Sequence, residues 1–272
     1  MRWSYSTFCL PTTTIIMTDL PNAPSQQPVA PQQIELLTQG VEHQMKFNDG
    51  IGVIENFMSK EYCDILIQSF EYFNDIKYVK KGLMGGHFEH QATNDGSKQF
   101  SRGAMGRKDE QLFLEVADTL LASQCTEVVG AGFEHYANEY KGIIDSSDPV
   151  ASWTCKLQKT QAGGGYHIWH CEDGSFIYRD RVLTWMIYLN DIPVENGGAT
   201  DFLHQKCSFQ PTTGTIVFWP ATYTHMHRGS FLTGDIPKYI ATGWFLREPG
   251  NVTTRIIQEQ RGMPPQEKGL NG

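Results

Sequence analysis

The chain has 272 residues, of which 40% are hydrophobic and 12% aromatic, a globular composition that excludes an intrinsically disordered chain. Its formal net charge of −8 argues against nucleic acid or an anionic membrane surface as a partner. The sequence has no run of about 18 to 20 apolar residues that could cross a bilayer. Its six scattered cysteines include no CxxC pair and indicate reduced thiols, so we expect a cytoplasmic protein.

The first 44 residues are expected to form a disordered leader. Residues 18–33 are rich in Pro, Gln, Asn and Ala, a composition that cannot bury a core. The segment before them is interrupted by Pro11 and a run of threonines, which is not typical of a secretory signal peptide. We predict one folded domain over residues 45–250 and a C-terminal tail over residues 251–272.

The folded part begins with a strand, a helix and a long loop. Ile51–Met58 is apolar and follows an Asp-Gly pair, which predicts a strand. Ser59 has the character of an N-cap, and the apolar residues after it recur at helical spacing. Gly82–Gly106 is rich in Gly, Asn, Ser and His and has no period, so we predict a loop there that helps to shape a substrate site.

Two further helices are predicted before residue 150. Leu112, Val116 and Leu120 recur every four residues, which predicts a helix over Asp109–Ser123. A weaker pattern with two glycines predicts another over Glu127–Tyr140.

After residue 150 the chain changes to short β-type runs separated by turn signals. The runs are SWTCKLQKT, YHIWHCE, RVLTWMIYLND, TIVFWP and KYIATGWFL. Many short strands at this spacing predict a sandwich or barrel, so the chain is expected to be mainly β with flanking helices.

A histidine and a carboxylate lie two residues apart in the second of these runs. If Tyr166–Asp173 is a strand, His170 and Glu172 point to one face, whereas Cys171 and Asp173 point to the other. A His and a carboxylate on one face supply two ligands of the 2-His-1-carboxylate triad that binds non-haem iron. The orientation of Cys171 and the lack of other clustered cysteines argue against a zinc site.

The third ligand is expected to be a histidine on a later strand. His225 and His227 both follow the run TIVFWP, and in an extended segment both could face the same way. A His-x-Glu pair alone is common by chance, so the elements around it decide its meaning.

Taken in order, the second half of the chain resembles the prolyl 4-hydroxylase-like Fe(II)/2-oxoglutarate oxygenases. That family has a His-x-Asp pair, an Arg-led strand ending in YLN, a GGxTxF turn, a PxxGx strand, a distal His, a basic residue about ten positions later, and a Trp. The resemblance covers about residues 50 to 247, and its carriers here are Arg181 to Asn190, Gly197-Gly198-x-Thr200-x-Phe202, Pro211-x-x-Gly214, His227, Lys238 and Trp244.

This resemblance implies a double-stranded β-helix, or jelly-roll, core at about residues 150–247. It implies Fe(II) held by His170, Glu172 and His227, with 2-oxoglutarate as co-substrate and ascorbate as a family expectation only. His227 is preferred over His225 because His227-Arg228-Gly229 matches the family's His-x-Gly. Glu172 departs from the usual Asp and is one methylene longer.

The resemblance also implies residues that bind 2-oxoglutarate. Lys238 would pair with its distal carboxylate through a charge-assisted hydrogen bond. Tyr188 matches a family position whose hydroxyl holds the same carboxylate. Tyr166 can face the site, although the family more often has its Tyr at the position of His167.

We therefore expect a dioxygenase that hydroxylates a peptidyl residue, as prolyl hydroxylases do, or a C–H bond of a small molecule. Its partners would be 2-oxoglutarate, O₂ and that substrate, with no nucleic acid and no membrane. Two alternatives stay open: a cupin-like iron dioxygenase that uses no 2-oxoglutarate, and a catalytically silent jelly-roll binding protein. Lys238 argues against the first alternative, because such enzymes have no distal carboxylate to bind.

Overall fold

A computed structural model describes residues 37–38, 43–85, 105–145, 150–152 and 154–247. Almost all of the predicted leader, the predicted tail and most of the predicted loop Gly82–Gly106 lie outside these ranges. Within them, no helix is both long and apolar enough to span a bilayer.

Thirteen strands and three α-helices make up the described part of the chain. The helices are α1 (Lys60–Asp75), α2 (Leu114–Ala117) and α3 (Thr119–Glu139), with 3₁₀ turns at Lys141–Ile143, Val194–Asn196 and Tyr223–His225. The strands are β1 (Lys46–Asn48), β2 (Ile51–Ile54), β3 (Lys80–Gly85), β4 (Met105–Phe113), β5 (Val150–Ser152), β6 (Lys156–Thr160), β7 (Gly165–Tyr166), β8 (Arg181–Tyr188), β9 (Thr200–Phe202), β10 (Cys207–Phe209), β11 (Ile216–Pro220), β12 (His227–Gly229) and β13 (Lys238–Arg247).

The strands form two antiparallel sheets. The large sheet has the order β1-β2-β11-β8-β13-β6-β4-β3, with β5 beside β13 and β7 beside β4, and the small sheet has the order β10-β9-β12. The helices precede most of the sheet in sequence. The predicted fold class, a mainly β jelly roll with preceding helices, is confirmed.

The central strand β8 is buried on both faces, because helices cover one face and the small sheet the other. Trp185 and Ile187 belong to the core cluster that includes residues of α1 and α3. Met186 and Tyr188 alternate with them and belong to the inner cluster with Phe202 of β9. Side chains of a strand alternate between its faces, so a strand buried on both faces is apolar throughout, as the run RVLTWMIY is.

Helix α1 begins where the sequence predicts it. The Ser59 hydroxyl accepts the amide of Tyr62 at 3.2 Å, which caps the helix. Tyr62, Leu66 and Phe70 are buried on one face of α1. The predicted strand at Ile51–Met58 is shorter in the structure, where β2 ends at Ile54.

The predicted helix over Asp109–Ser123 is wrong in its first five residues, Asp109–Phe113, which are the end of strand β4. Leu112 is buried in the core, but Val116 and Leu120 are largely exposed, so the four-residue repeat does not mark a buried helix face. The predicted helix over Glu127–Tyr140 coincides with the second half of α3, which ends at Glu139, one residue earlier than predicted.

The predicted strand over Tyr166–Asp173 is wrong in its extent. Only its first residue pairs as a strand, in β7, and His170 forms a single antiparallel bridge with His227. The chain then turns towards the end of β11, where the next two amides after Cys171 both donate to the carbonyl oxygen of Ala221. Hydrogen bonds to a distant strand therefore replace a continuous ladder in this segment.

Candidate metal centre

A cavity of about 920 Å³ lies between the two sheets. Its walls come from β4, β6 and β13 of the large sheet, from β9 and β12 of the small sheet, and from the segment between β7 and β8. Five basic and three acidic side chains line it, which suits anionic ligands. They are Arg107, Lys156, Arg181, Arg228 and Lys238 with Asp109, Glu172 and Asp180.

His170, Glu172 and His227 converge at one point of this cavity. The Glu172 Oε1 atom lies 3.4 Å from Nε2 of His170 and 3.4 Å from Nε2 of His227. In the described part of the chain, these three residues form a group whose candidate ligand atoms all lie within 4.8 Å of one another. Main-chain hydrogen bonds in both directions between His170 and His227, of 3.0 and 2.9 Å, fix the two histidines side by side.

The hydrogen bonds of the two imidazoles prepare them to bind a metal ion. Nδ1 of His170 lies 2.8 Å from the carbonyl oxygen of Ile168, and Nδ1 of His227 lies 3.0 Å from that of His225. A carbonyl oxygen only accepts, so each Nδ1 carries a proton, and in the neutral form of the ring Nε2 presents a lone pair to the cavity. Burial, together with the charge of His227, lowers the pKa of His170, which favours the neutral ring that binds metals.

Glu172 is held by two donors on the side away from the histidines. Its Oε2 atom accepts from Nη1 of Arg181 at 2.9 Å and from Nε1 of Trp244 at 2.9 Å. Burial raises the pKa of this carboxyl, but hydrogen bonds and charge interactions with the two histidines outweigh it and hold the pKa well below its usual range. The carboxylate is therefore charged, with Oε1 free to join the histidine nitrogens as a metal ligand. Two histidine nitrogens and one carboxylate oxygen are the donor set of a non-haem Fe(II) site.

The roles of Arg181 and Trp244 were not predicted from the sequence. Both belong to the ordered set that carries the family resemblance. Arg181 lies nine residues after Glu172, whereas the contact of Trp244 with Glu172 joins segments 72 residues apart. Asp173, the carboxylate next to Glu172 that the predicted strand directs to the other face, lies outside the cluster.

His225 lies outside the cluster as well. Its Nε2 atom is 2.8 Å from the carbonyl oxygen of Asp49, and its Nδ1 atom is 2.9 Å from the Thr224 hydroxyl. The expectation that His225 and His227 share a face is wrong, because Tyr223–His225 forms a 3₁₀ turn and β12 begins only at His227.

Lys238 lines the cavity close to strand β9. Its side chain is buried, and Nζ donates to the carbonyl oxygen of Gly198 at 2.6 Å. Burial lowers the pKa of Lys238 to about 8, partly offset by the charge of Asp201. No carboxylate within the described ranges forms an ion pair with it, so it can bind an anion that enters the cavity.

The two tyrosines predicted at the site are placed differently. The Tyr166 ring stacks on the His170 ring with centroids 3.8 Å apart and lines the cavity. Tyr188 is fully buried behind the cavity wall, and its hydroxyl donates to Thr200 Oγ1 at 2.8 Å. Thr200 lines the cavity and Tyr188 does not, so the structure does not place the Tyr188 hydroxyl where the sequence-based expectation of a direct ligand contact needs it.

Lys156 was not predicted as a site residue, although it too lines the cavity. Residues at alternate positions of β6 face the cavity, and Lys156, Gln158 and Thr160 share that face. Burial, with the charge of Arg107, lowers the pKa of Lys156 to about 8. Once β6 is aligned as a strand, this alternation is the signal that could have identified the residue.

One family model and several solved structures are similar to parts of this chain. Residues 152–246 match a family model described as the 2OG-Fe(II) oxygenase superfamily. No curated protein sequence matches the chain. A prolyl hydroxylase from Trichoplax adhaerens, solved in complex with a peptide fragment of hypoxia inducible factor, is similar in structure. Its TM-score is 0.54 at 14% identity, over 79% of this chain and 90% of that one.

A Pseudomonas putida prolyl-4-hydroxylase is also similar, with a TM-score of 0.51 at 13% identity, over 79% of this chain and 100% of that one. At these identities, the two structures show a shared fold.

Proposed function

We propose that the protein is a 2-oxoglutarate-dependent hydroxylase, on the premise that residues 152–246 match the family model of the 2OG-Fe(II) oxygenase superfamily. The observation that carries the proposal is the oriented cluster of His170, Glu172 and His227, opening on a cavity that also contains the buried ammonium of Lys238. The overall reaction would convert 2-oxoglutarate, O₂ and a substrate C–H bond into succinate, CO₂ and an alcohol.

In this proposal, Nε2 of His170, Oε1 of Glu172 and Nε2 of His227 hold the Fe(II) ion. The bound ion supplies the redox chemistry that activates O₂ and leaves positions open for the co-substrate. Arg181 and Trp244 keep Glu172 Oε2 occupied, so that the carboxylate offers a single oxygen to the ion.

Lys238 binds the distal carboxylate of 2-oxoglutarate. Its ammonium group is buried and uncompensated by any acid in the described residues, so a carboxylate would form a strong charge-assisted hydrogen bond there. The Thr200 hydroxyl, held by Tyr188 at 2.8 Å, lines the same end of the cavity and can add a second hydrogen bond. A dioxygenase without 2-oxoglutarate would have no use for this arrangement.

The candidate substrates are a peptidyl residue, as in prolyl hydroxylases, and a small molecule. The Trichoplax adhaerens structure contains a bound peptide, which makes a peptide a reasonable first choice for testing.

Succinate production tests the proposal. The protein is loaded anaerobically with Fe(II) and 2-oxoglutarate, O₂ is then added, and succinate is quantified. We expect succinate even without substrate, through slow uncoupled turnover, and none from a folded His170→Ala variant. O₂ consumption without succinate would favour the cupin-like alternative, and no reaction from well-metallated protein would favour a silent binding protein.

A further inference from the structure

A second buried lysine lies in the cavity, displaced along the strands from Lys238. In the pairing of β6 with β13, Thr160 is opposite Lys238, whereas Lys156 is opposite Thr242. Four residue steps along a strand correspond to roughly 13 Å, so the two lysines arise at well-separated points of the cavity wall.

The Lys156 side chain has no counter-ion among the described residues. Only 6% of the residue is exposed, and its Nζ atom lies 5.0 Å from the centre of the Trp244 ring, a cation–π contact. No described residue forms a hydrogen bond or an ion pair with this ammonium group. Buried charges in proteins are normally paired, so a solitary one at a cavity wall points to a ligand.

Two carboxylates whose charges act on Lys156, Asp109 and Glu172, are already occupied by other donors. Asp109 accepts from Nε of Arg107 at 2.9 Å, from Gln111 at 2.6 Å and from Gln158 at 2.9 Å. With three donors, its carboxylate has little capacity left for Lys156.

Glu172 is equally committed, to the two histidines through Oε1 and to Arg181 and Trp244 through Oε2. Lys156 thus supplies one positive charge that the protein itself does not neutralise.

Trp244 connects Lys156 to the metal-binding cluster. One part of its indole, Nε1, donates to Glu172, while the ring lies under the Lys156 ammonium. A ligand bound by Lys156 would therefore be separated from the metal-binding cluster by about the width of the Trp244 indole. It would occupy a different part of the cavity from an anion bound by Lys238.

We infer that the substrate of this site carries a carboxylate, which Lys156 binds while a C–H bond of the same molecule faces His170, Glu172 and His227. The inference rests on the proposed function and narrows its substrate class. One uncompensated lysine matches a single negative charge, which favours a carboxylate over a doubly charged phosphate. The carboxylate can belong to a free acid, such as the α-carboxylate of an amino acid, or to an acidic side chain in a peptide.

Binding of matched acids and amides tests the inference. The probes are N-acetylated apolar amino acids and capped tripeptides with one Glu, each beside its neutral amide counterpart. They are titrated by ligand-observed NMR onto protein that holds Fe(II) and saturating 2-oxoglutarate under anaerobic conditions, so that Lys238 is occupied. We expect one acid series to bind at least about tenfold more tightly than its amides, and the identity of that series distinguishes the two sources of the carboxylate.

Three variants assign the effect to Lys156. Lys156→Gln should lose at least about tenfold in affinity for the acid, and Lys156→Arg should retain most of it. Lys159→Gln is the matched control, because it removes the same charge from the same strand on the opposite face, where Lys159 pairs with Glu71 at 2.9 Å. Its affinity for the acid should equal that of the wild type.

The inference is overturned if no acid binds, if acids and amides bind equally, or if Lys156→Gln weakens 2-oxoglutarate binding instead. The comparison of acid with amide uses the wild-type protein, so it holds even if a variant does not fold. Succinate formation by the same wild-type preparation distinguishes failure of this inference from failure of the proposed function. Succinate without selective acid binding refutes this inference alone, whereas the absence of succinate refutes the proposed function.

Discussion

The imidazoles of His170 and His227 are oriented by main-chain oxygens rather than by side chains. Each Nδ1 atom contacts a carbonyl oxygen two residues earlier, so the ring orientation follows from the local backbone. For His227 that oxygen belongs to His225, and it stays in place whatever side chain His225 carries. The two neighbouring histidines can therefore be tested separately.

We predict that His227→Ala lowers the affinity for Fe(II) by more than about 100-fold, because it removes a proposed ligand. His225→Ala should keep the metal and instead lower the free energy of unfolding by about 1 to 3 kcal/mol, because it removes hydrogen bonds of a buried ring to Asp49 and Thr224. Metal content after dialysis and urea unfolding measure the two effects. Loss of metal from the His225→Ala variant would contradict the assignment.

The titration of Lys238 predicts how 2-oxoglutarate binding depends on pH. Its pKa is lowered to about 8, and only the protonated ammonium attracts the distal carboxylate. Affinity should be constant below about pH 7 and should fall by up to about tenfold per pH unit as pH rises above 8. Anaerobic calorimetry over this range measures the profile.

Lys238→Arg is the control, because a guanidinium stays charged throughout this range. Its profile should lack the fall above pH 8. A fall of equal size in this variant would assign the titration to another group, such as the metal-binding cluster.

At the scale of elements, the start of helix α1 is fastened to the sheet through Gly214. The carbonyl oxygen of Gly214 accepts hydrogen bonds from the amides of Phe57 and Met58, each at 2.9 Å. The amide of Gly214 donates to the carbonyl oxygen of Tyr188 at 2.8 Å. Gly214 has φ +76°, and an added Cβ would collide with the carbonyl oxygen of Met58. Only glycine combines this backbone conformation with such a close approach.

We predict that Gly214→Ala lowers the free energy of unfolding by more than about 3 kcal/mol, since it adds a backbone clash to the strain of a positive φ. Gly163→Ala is the matched control, because Gly163 has φ +72° but no atom within 4 Å of its would-be Cβ. That variant should lose about 1 to 2 kcal/mol through backbone strain alone. Urea unfolding compares them, and equal losses would show that the contact with Met58 is unimportant.

The helix predicted over Asp109–Ser123 was partly wrong because its sequence pattern did not reflect the packing of these residues. In β4 the polar residues Asp109 and Gln111 face the cavity, and Glu110 between them on the other face is polar as well, so the strand lacks the alternation of polar and apolar residues that would have identified it. The apolar residues Val116 and Leu120 are exposed, and they created a helical repeat that corresponds to no buried surface. Tertiary packing overrode the local pattern.

At the scale of the whole molecule, the cavity exists because the large sheet packs against a separate hydrophobic cluster on each of its faces. One face of β8 packs with α1 and α3, and the other faces the small sheet. The small sheet carries His227 on β12, and the large sheet carries Lys238 and Trp244 on β13. The candidate metal site and both lysines therefore depend on the two sheets being correctly opposed.

The sequence alone determined the strands β8, β11 and β13 and the N-cap of α1, and it predicted His170 and Glu172 as a pair. Each of these depends on local properties: apolar runs, capping chemistry, or residues two positions apart. Only the tertiary structure separated His227 from His225, moved Tyr188 behind Thr200, and joined Arg181 and Trp244 to Glu172. It also revealed Lys156 as a buried charge without a partner. Apart from the Arg181–Glu172 contact, which spans nine residues, those features are contacts between residues that are more distant in sequence, and no local pattern encodes which of them meet.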